Sequence, residues 1–235
     1  MNVVILVDYD NLNLSQKASG MHDLVAKVLM QLLIDPETTK GTCELRVYGG
    51  WYEGNLMTRT AQELAVSLQN EFPVLIRLPT SPVNRAIFTA KATLATALIE
   101  DPGRDIVNTF RRKGRPSNIR IQKQEDAGCT SEGCILPTLK KFLSSGRCPV
   151  STCGRVDLIY RNEQKIVDSM LTCDLIYAPQ HGFDHIILVS SDTDFTPPLH
   201  TLLLRNIKVT RVHPKFSNQR EEINIHSKRL VELEL

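Results

Sequence analysis

Four aspartates stand where a folded chain could bring their carboxylates to one point. Asp8 ends the first apolar run of the chain, and Asp192 and Asp194 follow a second apolar run. Asp168 lies between the two runs, in a segment with the pattern of a helix. Carboxylates at the carboxyl ends of buried strands usually face a ligand crevice. Because clustered carboxylates stay ionised only when a cation compensates them, this set predicts a hard divalent metal and phosphate chemistry.

Asn11 and Ser190 are polar neighbours of this predicted metal site. Asn11 lies about one turn beyond Asp8, where its amide could position a water or a phosphate without adding charge. Ser190 begins the loop that carries the two later aspartates and could donate a hydrogen bond there. Each aspartate taken alone is also explained as a helix cap, so it is the two acidic strand ends together that favour a shared site.

Lys165 precedes Asp168 by three residues, so the two share a face if residues 161–177 form the predicted helix. A lysine in that position could offset the repulsion among the carboxylates or bind the scissile phosphate. The alternative is an i,i+3 surface ion pair, which would contribute little to stability.

The elements that must position these residues alternate as strand and helix along most of the chain. Strands are predicted at 3–7, 44–51, 73–78, 184–190 and 207–212, and helices at 24–33, 60–72, 86–99, 161–177 and 195–204. Continuous apolar strands joined by amphipathic helices are typical of a parallel sheet covered on both faces. The sequence therefore predicts an α/β fold with a mostly parallel sheet flanked by helices.

Composition and charge are those of a globular domain without a membrane span. The 235-residue chain is 42% hydrophobic and 23% charged, and it is long enough to bury a full core. Its longest apolar runs fall far short of the roughly 20 residues that cross a membrane, and the N-terminus lacks a signal-peptide pattern. We therefore expect a cytoplasmic protein. With a net charge of +2, any argument for nucleic acid must rest on local clustering.

Residues 101–154 depart from the alternation and are predicted to be an insertion between the core segments 1–100 and 155–235. The stretch 104–125 holds seven lysines or arginines against two acids, and Arg111, Arg112 and Lys113 are consecutive within it. Such a stretch could contact the phosphates of a nucleic acid. A solvated loop is the alternative interpretation.

Four of the six cysteines fall within this insertion, in two pairs of equal spacing: Cys129 with Cys134, and Cys148 with Cys153. Four thiolates in paired spacing fit a tetrahedral structural zinc ion, so the region is predicted to be a Cys-rich subdomain. A redox-sensitive disulfide pair or unligated thiols are the alternatives, although disulfides are rare in cytosolic proteins.

Three strings in this order are similar to motifs of a known family: Val7–Asn11, Gln164–Asp168 and Val189–Phe195. Together they resemble the NYN domain of the PIN-like nuclease superfamily, in particular its bacterial limkain and LabA-like branch. The strand end Val47–Trp51 is similar to that branch as well. The resemblance covers about residues 1–80 and 155–212.

The resemblance implies a PIN-like, Rossmannoid fold and metal-dependent endoribonuclease activity. It assigns six residues to the catalytic site: Asp8, Asp168, Asp192 and Asp194 for Mg²⁺ or Mn²⁺, supported by Asn11 and Lys165. RNA, single-stranded or in a structured loop, is then the expected partner, and a homodimer is left open. At the nearby strand end, Trp51 could stack a splayed base, with a core-edge position as the alternative.

Two other functions are compatible with the sequence. Asp8 and Asp10 after the first strand resemble the nucleophile pair of a haloacid-dehalogenase-type phosphatase. In that class Asn11 would replace the usual threonine or valine, and Lys165 would have to bind the phosphate. The third hypothesis is an RNA-binding or partner-binding module with an inactive acidic site, and the intact acidic set argues against it.

Overall fold

The computed structural model of the protein describes residues 1–32, 39–79, 85–114, 122–148, 151, 154, 160–214 and 230–235. Along these residues the strands and helices follow in this order: β1 (Asn2–Asp8), α1 (Leu14–Gln31), β2 (Lys40–Tyr48), β3 (Tyr52–Glu53), β4 (Leu56–Met57), α2 (Arg59–Glu71), β5 (Val74–Pro79), β6 (Arg85–Leu94), β7 (Phe110–Gly114), α3 (Leu136–Ser145), β8 (Tyr160–Gln164), α4 (Val167–Tyr177), β9 (His185–Val189), α5 (Thr196–Leu204), β10 (Val209–His213) and β11 (Leu230–Glu234). Short 3-10 turns cover Tyr9–Asn11, Ala178–His181 and Thr193–Phe195.

The chain forms two compact units, which we call the core unit and the second unit. The core unit consists of Met1–Thr109 and Gln164–Leu235, and the second unit is Phe110–Glu163. The core unit holds a seven-stranded sheet, while in the second unit β7 and β8 are neighbouring strands. The assignment of 101–154 as a Cys-rich subdomain stays a prediction.

The sheet of the core unit has the strand order β11-β10-β9-β1-β2-β6-β5. Every neighbouring pair is parallel except β5 and β6, which are antiparallel. The register pairs Asp8 with Tyr48 on one side of β1, and Val7 with Val189 on the other. The carboxyl ends of β1, β2 and β9 therefore meet at one edge of the sheet. This confirms the predicted α/β fold with a mostly parallel sheet flanked by helices.

Strand β1 lies at the centre because its side chains are apolar on both faces. Val3, Ile5 and Val7 face a core layer that α1 and α2 cover, and Val4 and Leu6 face a second layer that α4 and α5 cover. All five side chains are fully buried. Continuous burial of this kind is expected for a parallel strand between two helical layers. Within the described residues no helix has the length and hydropathy of a bilayer-spanning segment.

Two of the predicted helices are wrong in whole or in part. The segment 86–99, predicted as a helix, contains strand β6, in which Ala86 and Phe88 are buried while Ile87 and Thr89 face outward. This two-residue alternation requires a strand, and the small alanines had suggested a helix. In the segment 161–177, the helix begins only at Val167. The residues before it form β8.

Candidate active site

Asp8 lies at the carboxyl end of β1 and is only 5% exposed. Its Oδ2 accepts hydrogen bonds from Asn11 Nδ2 at 2.5 Å and from Ser190 Oγ at 3.2 Å. Burial raises the pKa of Asp8, the two hydrogen bonds oppose that shift, and the nearby charge of Asp10 adds to it. The carboxylate is therefore held in one orientation, but its charge is unfavourable there without a compensating cation.

Asn11 and Ser190 join the loop after β1 to the loop after β9. While the Asn11 amide nitrogen donates to Asp8, its oxygen accepts the backbone N–H of Ser191 at 3.2 Å. The Ser190 hydroxyl donates to Asp8 and accepts the backbone N–H of Asp192 at 3.1 Å. The two acidic strand ends are thus tied together by side-chain hydrogen bonds, with Asn11 acting as a clamp.

Asp192 and Asp194 lie on the short loop between β9 and α5. The Asp192 side chain caps the 3-10 turn by accepting the Asp194 backbone N–H at 3.0 Å. The capping interpretation and the site interpretation therefore both apply to Asp192. Asp192 is half-buried and Asp194 is exposed, so the side chain of Asp194 points away from the core.

Arg211, on β10, is 2% exposed and forms hydrogen bonds to the backbone of the same loop. Its Nε donates to the carbonyl oxygen of Ser190 at 3.1 Å, and its Nη2 donates to that of Asp192 at 2.7 Å. The sequence analysis missed this positioning residue. The available signal was an arginine within a predicted inner strand, since a buried guanidinium requires acceptors for its hydrogen bonds.

Asp168 lies in the first turn of α4, and the charges of four other aspartates reach it. Desolvation is the main cause that raises the pKa of Asp168, followed by the carboxylates of Asp8, Asp192, Asp194 and Asp10. The carboxylates of the four predicted aspartates and of Asp10 are thus near enough for their charges to act on Asp168. We call these five residues the acidic cluster.

The donor set of the acidic cluster fits a hard divalent cation. All five side chains offer carboxylate oxygens, the ligands that Mg²⁺ and Mn²⁺ prefer. Among the described residues, however, no three His, Cys, Asp or Glu side chains are close enough to ligate one ion together. The cluster is therefore not a complete protein cage. It suits an ion that uses one or two carboxylates and keeps several waters, as Mg²⁺ does.

The link between β8 and α4 corrects the predicted position of Lys165. Lys165 precedes the first helical residue by two, and its backbone N–H donates to the carbonyl of Thr109 at 2.9 Å. It therefore does not share a helical face with Asp168. The next residue, Ile166, has φ +61°, a left-handed conformation that is rare for a β-branched side chain. This turn redirects the chain from the strand into the helix.

Gln164, at the end of β8, is a second positioning residue that the sequence analysis missed. Its Nε2 donates a hydrogen bond to Oδ2 of Asp10. This bond ties the turn after β1 to the link that leads into α4 and Asp168. Side-chain contacts between residues 154 positions apart have no signal in a single sequence.

Asp174, further along α4, anchors that helix to the sheet. Its carboxylate accepts hydrogen bonds from Tyr48 Oη at 2.5 Å, Arg46 Nη2 at 3.2 Å and the backbone N–H of Ile99 at 2.8 Å. Asp174 is 1% exposed, and its charge is compensated by Arg46. It thus fixes the helix that carries Asp168 and does not belong to the acidic cluster.

Trp51 lies in the core, which contradicts its predicted base-stacking role. The indole is 2% exposed, and its Nε1 donates to the carbonyl of Val47 at 3.0 Å. The ring of Tyr9 lies against it, with the centroids 5.6 Å apart. A Cβ at Gly49 would lie 2.6 Å from the indole, so the glycine at that strand end makes room for the ring. The alternative core-edge interpretation therefore applies.

Arg111 in the second unit is already paired with an acid. Its Nε and Nη2 lie 2.6 and 2.5 Å from the same carboxylate oxygen of Glu163. The side chains of Arg112 and Lys113 lie outside the described residues. Phosphate binding by these three residues therefore stays a prediction.

The cysteines of the predicted zinc site are described in part. Cys129, Cys134 and Cys148 are half-buried, and Cys153 lies outside the described residues. The three described thiols do not form a metal-binding group with one another. The structure therefore does not support zinc at these three residues alone.

A family model agrees with the fold. The model of the NYN domain matches residues 103–225, more than half of the 235-residue chain, so the protein belongs to the NYN domain family. The matched range includes Asp168, Asp192 and Asp194 and leaves Asp8 outside. Neither the comparison with curated proteins nor that with solved structures gives a match.

Membership of the family confirms the resemblance seen in the sequence motifs. NYN domains belong to the PIN-like nucleases, whose fold is an α/β sheet flanked by helices. The class of the protein is therefore that of hydrolases acting on nucleic acid, with RNA as the implied substrate.

Proposed function

We propose that the protein is a metal-dependent endoribonuclease that hydrolyses RNA phosphodiester bonds at the acidic cluster. The hydrogen bonds that join the two acidic strand ends carry this proposal. Ser190 bonds to both Asp8 and the Asp192 backbone, and Asn11 bridges Asp8 to the same loop. Burying a carboxylate near further carboxylates lowers the stability of the fold, and a bound cation would compensate for this loss.

One or two of the carboxylates of Asp8, Asp168, Asp192 and Asp194 would hold Mg²⁺ or Mn²⁺, and waters would complete the coordination. When bound, such an ion polarises a phosphoryl oxygen and lowers the pKa of a coordinated water. The positive charge of the ion would also offset the desolvation, and the repulsion from neighbouring carboxylates, that raise the pKa values of Asp8 and Asp168.

The other roles of the site residues would be to orient the carboxylates and the substrate and to accept a proton. Asn11 and Ser190 keep Asp8 in one orientation, and Arg211 holds the loop that carries Asp192. Asp168 is exposed to the incoming substrate and has a raised pKa, so its carboxylate would accept the proton of the attacking water. Lys165, exposed in the link before α4, would contact a phosphate of the substrate.

A structural zinc ion at Cys129, Cys134, Cys148 and Cys153 is a separate proposal. The paired spacing of the four thiols supports it, whereas the lack of a metal-binding group among the described thiols argues against it. Metal analysis of the purified protein decides this: one equivalent of zinc supports the site. Less than about half an equivalent rejects it.

One experiment distinguishes the proposed activity from its rivals. End-labelled RNA, end-labelled DNA and a phosphomonoester are incubated with the protein in Mg²⁺, Mn²⁺ or EDTA. Beside the wild type, the assay includes Asp8→Asn, Asp192→Asn and the control Asp23→Asn, which alters an exposed aspartate of α1 paired with Lys27. We expect metal-dependent RNA fragments that are lost in the first two variants and kept in the third.

Other outcomes would identify the rival functions. Phosphate release without strand scission would indicate a phosphatase. RNA binding without cleavage under every metal condition would indicate a binding module. Equal cleavage of DNA and RNA would keep the nuclease chemistry and reject the RNA preference.

A further inference from the structure

Side chains are exposed on one face of β6 and β5 and at the start of β2. Further along β2 the same face is covered, where Arg46 and Tyr48 contact Asp174 of α4. On β6 the side chains of Ala86 and Phe88 are buried in the core, whereas those of Arg85 and Ile87 are exposed on the opposite face. Strands β2 and β6 are parallel neighbours, and parallel strands are normally covered on both faces. An open face on a parallel pair therefore indicates a surface that a partner covers.

Positive charge dominates this surface, which we call the open face. Its exposed residues include four cations and two aliphatic side chains: Lys40, Arg77, Arg85, Lys91, Leu75 and Ile87. Among the described residues of these strands, the acid on this face is the half-buried Glu44, which is paired with Lys91 in the strand register and lies 3.8 Å from Arg46. Because the whole chain carries a net charge of only +2, the open face is a local concentration of positive charge.

The strand register arranges these cations in rows. Ile87 is paired with Lys40 on one neighbouring strand and with Arg77 on the other. Arg85 and Lys91 lie six residues apart on the same strand and face, a distance of about 20 Å. Leu75 is 64% exposed and Ile87 43%, so aliphatic surface lies between the charges. A partner must therefore offer repeated negative charge together with apolar surface.

The charge pattern decides among the candidate partners. A second copy of this chain in a two-fold arrangement would place four cations against four cations, which is unfavourable. A nucleic acid strand offers regularly spaced phosphates for the cations, and its sugars and bases offer apolar surface for Leu75 and Ile87. Lys91 is paired with Glu44, which lies four residues before Tyr48, the register partner of Asp8. The open face therefore ends about 13 Å from the catalytic edge of the sheet.

We propose that the open face binds a single-stranded stretch of RNA whose further nucleotides span the remaining distance, about 13 Å along the strands, to the acidic cluster. This inference rests on the proposed function, since it adds a substrate-binding surface to that site. Arg77, Arg85 and Lys91 would bind backbone phosphates, and the two aliphatic side chains would lie against unstacked nucleosides. The length of the surface would favour RNA of several nucleotides over very short substrates.

Charge reversal tests the proposal. Binding of a fluorescein-labelled 20-nucleotide single-stranded RNA is measured by anisotropy in EDTA, across a series of salt concentrations. The test variant is Arg77→Glu with Lys91→Glu. The matched control is Lys27→Glu with Arg205→Glu, two exposed cations on other surfaces of the core unit. A milder variant, Arg77→Gln with Lys91→Gln, serves in case the reversal impairs folding, and thermal melts of all variants check this.

We expect the charge-reversed variant to lose at least tenfold in affinity at low salt, and the control to change less than threefold. The slope of log affinity against log salt should fall by about 1.4, because each phosphate contact on a single strand contributes about 0.7. Equal losses in the variant and the control would overturn the proposal. A wild-type dimer that becomes a monomer in the charge-reversed variant would also overturn it, in favour of self-association.

The failure of this inference and that of the proposed function give different results. Wild-type protein that binds the RNA through the open face but never cleaves it with metal would reject the nuclease and keep the binding surface. Cleavage of the 20-nucleotide RNA with the same KM by the wild type and the charge-reversed variant would reject the binding surface alone. If both proposals hold, the variant should show a higher KM with kcat little changed.

Discussion

The substitution Asp8→Asn should stabilise the metal-free protein while it weakens metal binding. Asp8 is 5% exposed, and burial is the main cause that raises its pKa. Since the pKa in the folded state lies above that of the unfolded chain, the stabilising contribution is present at low pH and is lost as the pH rises through the folded-state pKa. At pH 7 the charge therefore opposes folding, and its removal relieves that cost.

An asparagine at position 8 keeps an oxygen that can accept the hydrogen bonds of Asn11 and Ser190. We expect the free energy of unfolding at pH 7 in EDTA to rise by about 0.5–2 kcal/mol. For a chain of this size, Tm should rise by roughly 2–4 °C per kcal/mol. Saturating Mn²⁺ should reverse the order, because a ligand at 100 times its Kd adds about 2.7 kcal/mol to the wild type alone.

The same substitution at Asp174 is the matched control, because both aspartates are buried. Asp174→Asn removes the charge that compensates Arg46, whose side chain is 11% exposed. An uncompensated buried charge of this kind costs about 3–5 kcal/mol. Urea unfolding with and without Mn²⁺ measures both variants. If Asp8→Asn destabilises the metal-free protein as Asp174→Asn does, the electrostatic reasoning about the acidic cluster is refuted.

Three further predictions concern other parts of the core unit. Arg211→Lys should lower the rate of RNA cleavage and the free energy of unfolding, the latter by about 1–3 kcal/mol, because an ammonium cannot keep both carbonyl contacts. A cleavage assay and urea unfolding measure the two effects, and wild-type values in both would contradict the prediction. Burial lowers the pKa of His185 to about 4, so stability should be full above pH 6.5 and fall by about 3 kcal/mol toward pH 4. Urea unfolding of His185→Gln should show a flatter pH dependence, and an unchanged slope would exclude His185 as its source. Ile166→Gly should raise the free energy of unfolding by about 1 kcal/mol, because glycine adopts a left-handed φ without steric cost; thermal melts that show a loss would contradict this.

The fold was predictable where burial leaves a simple pattern. Strands β1 and β9 lie in the middle of the sheet, so both of their faces are covered and their sequences are largely apolar. Strand β6 was mistaken for a helix because it is covered on one face only. Its outward residues are polar except for Ile87, and its inward residues include three alanines, which a helix also accepts. Strand β8 lies in a segment whose pairing with a distant strand leaves no periodic signal.

The candidate site was predictable in its charges and less so in its geometry. The four aspartates were predicted from strand ends and motifs. A helix cap explains any one of them alone, but it does not explain why two neighbouring strands both end in acids. The contacts that orient them come from residues far apart in the chain, such as Gln164 with Asp10 and Arg211 with the Ser190 carbonyl. Trp51 was misplaced because an aromatic residue at a strand end can face either the core or the solvent, and only packing decides.

Cleavage of end-labelled single-stranded RNA in Mn²⁺ tests the central proposal most directly. The wild type and Asp23→Asn should produce fragments that EDTA abolishes, and Asp8→Asn should produce none even though it unfolds at a higher temperature in EDTA. Fragments from Asp8→Asn at the wild-type rate would contradict the account, because they would place the chemistry outside the acidic cluster.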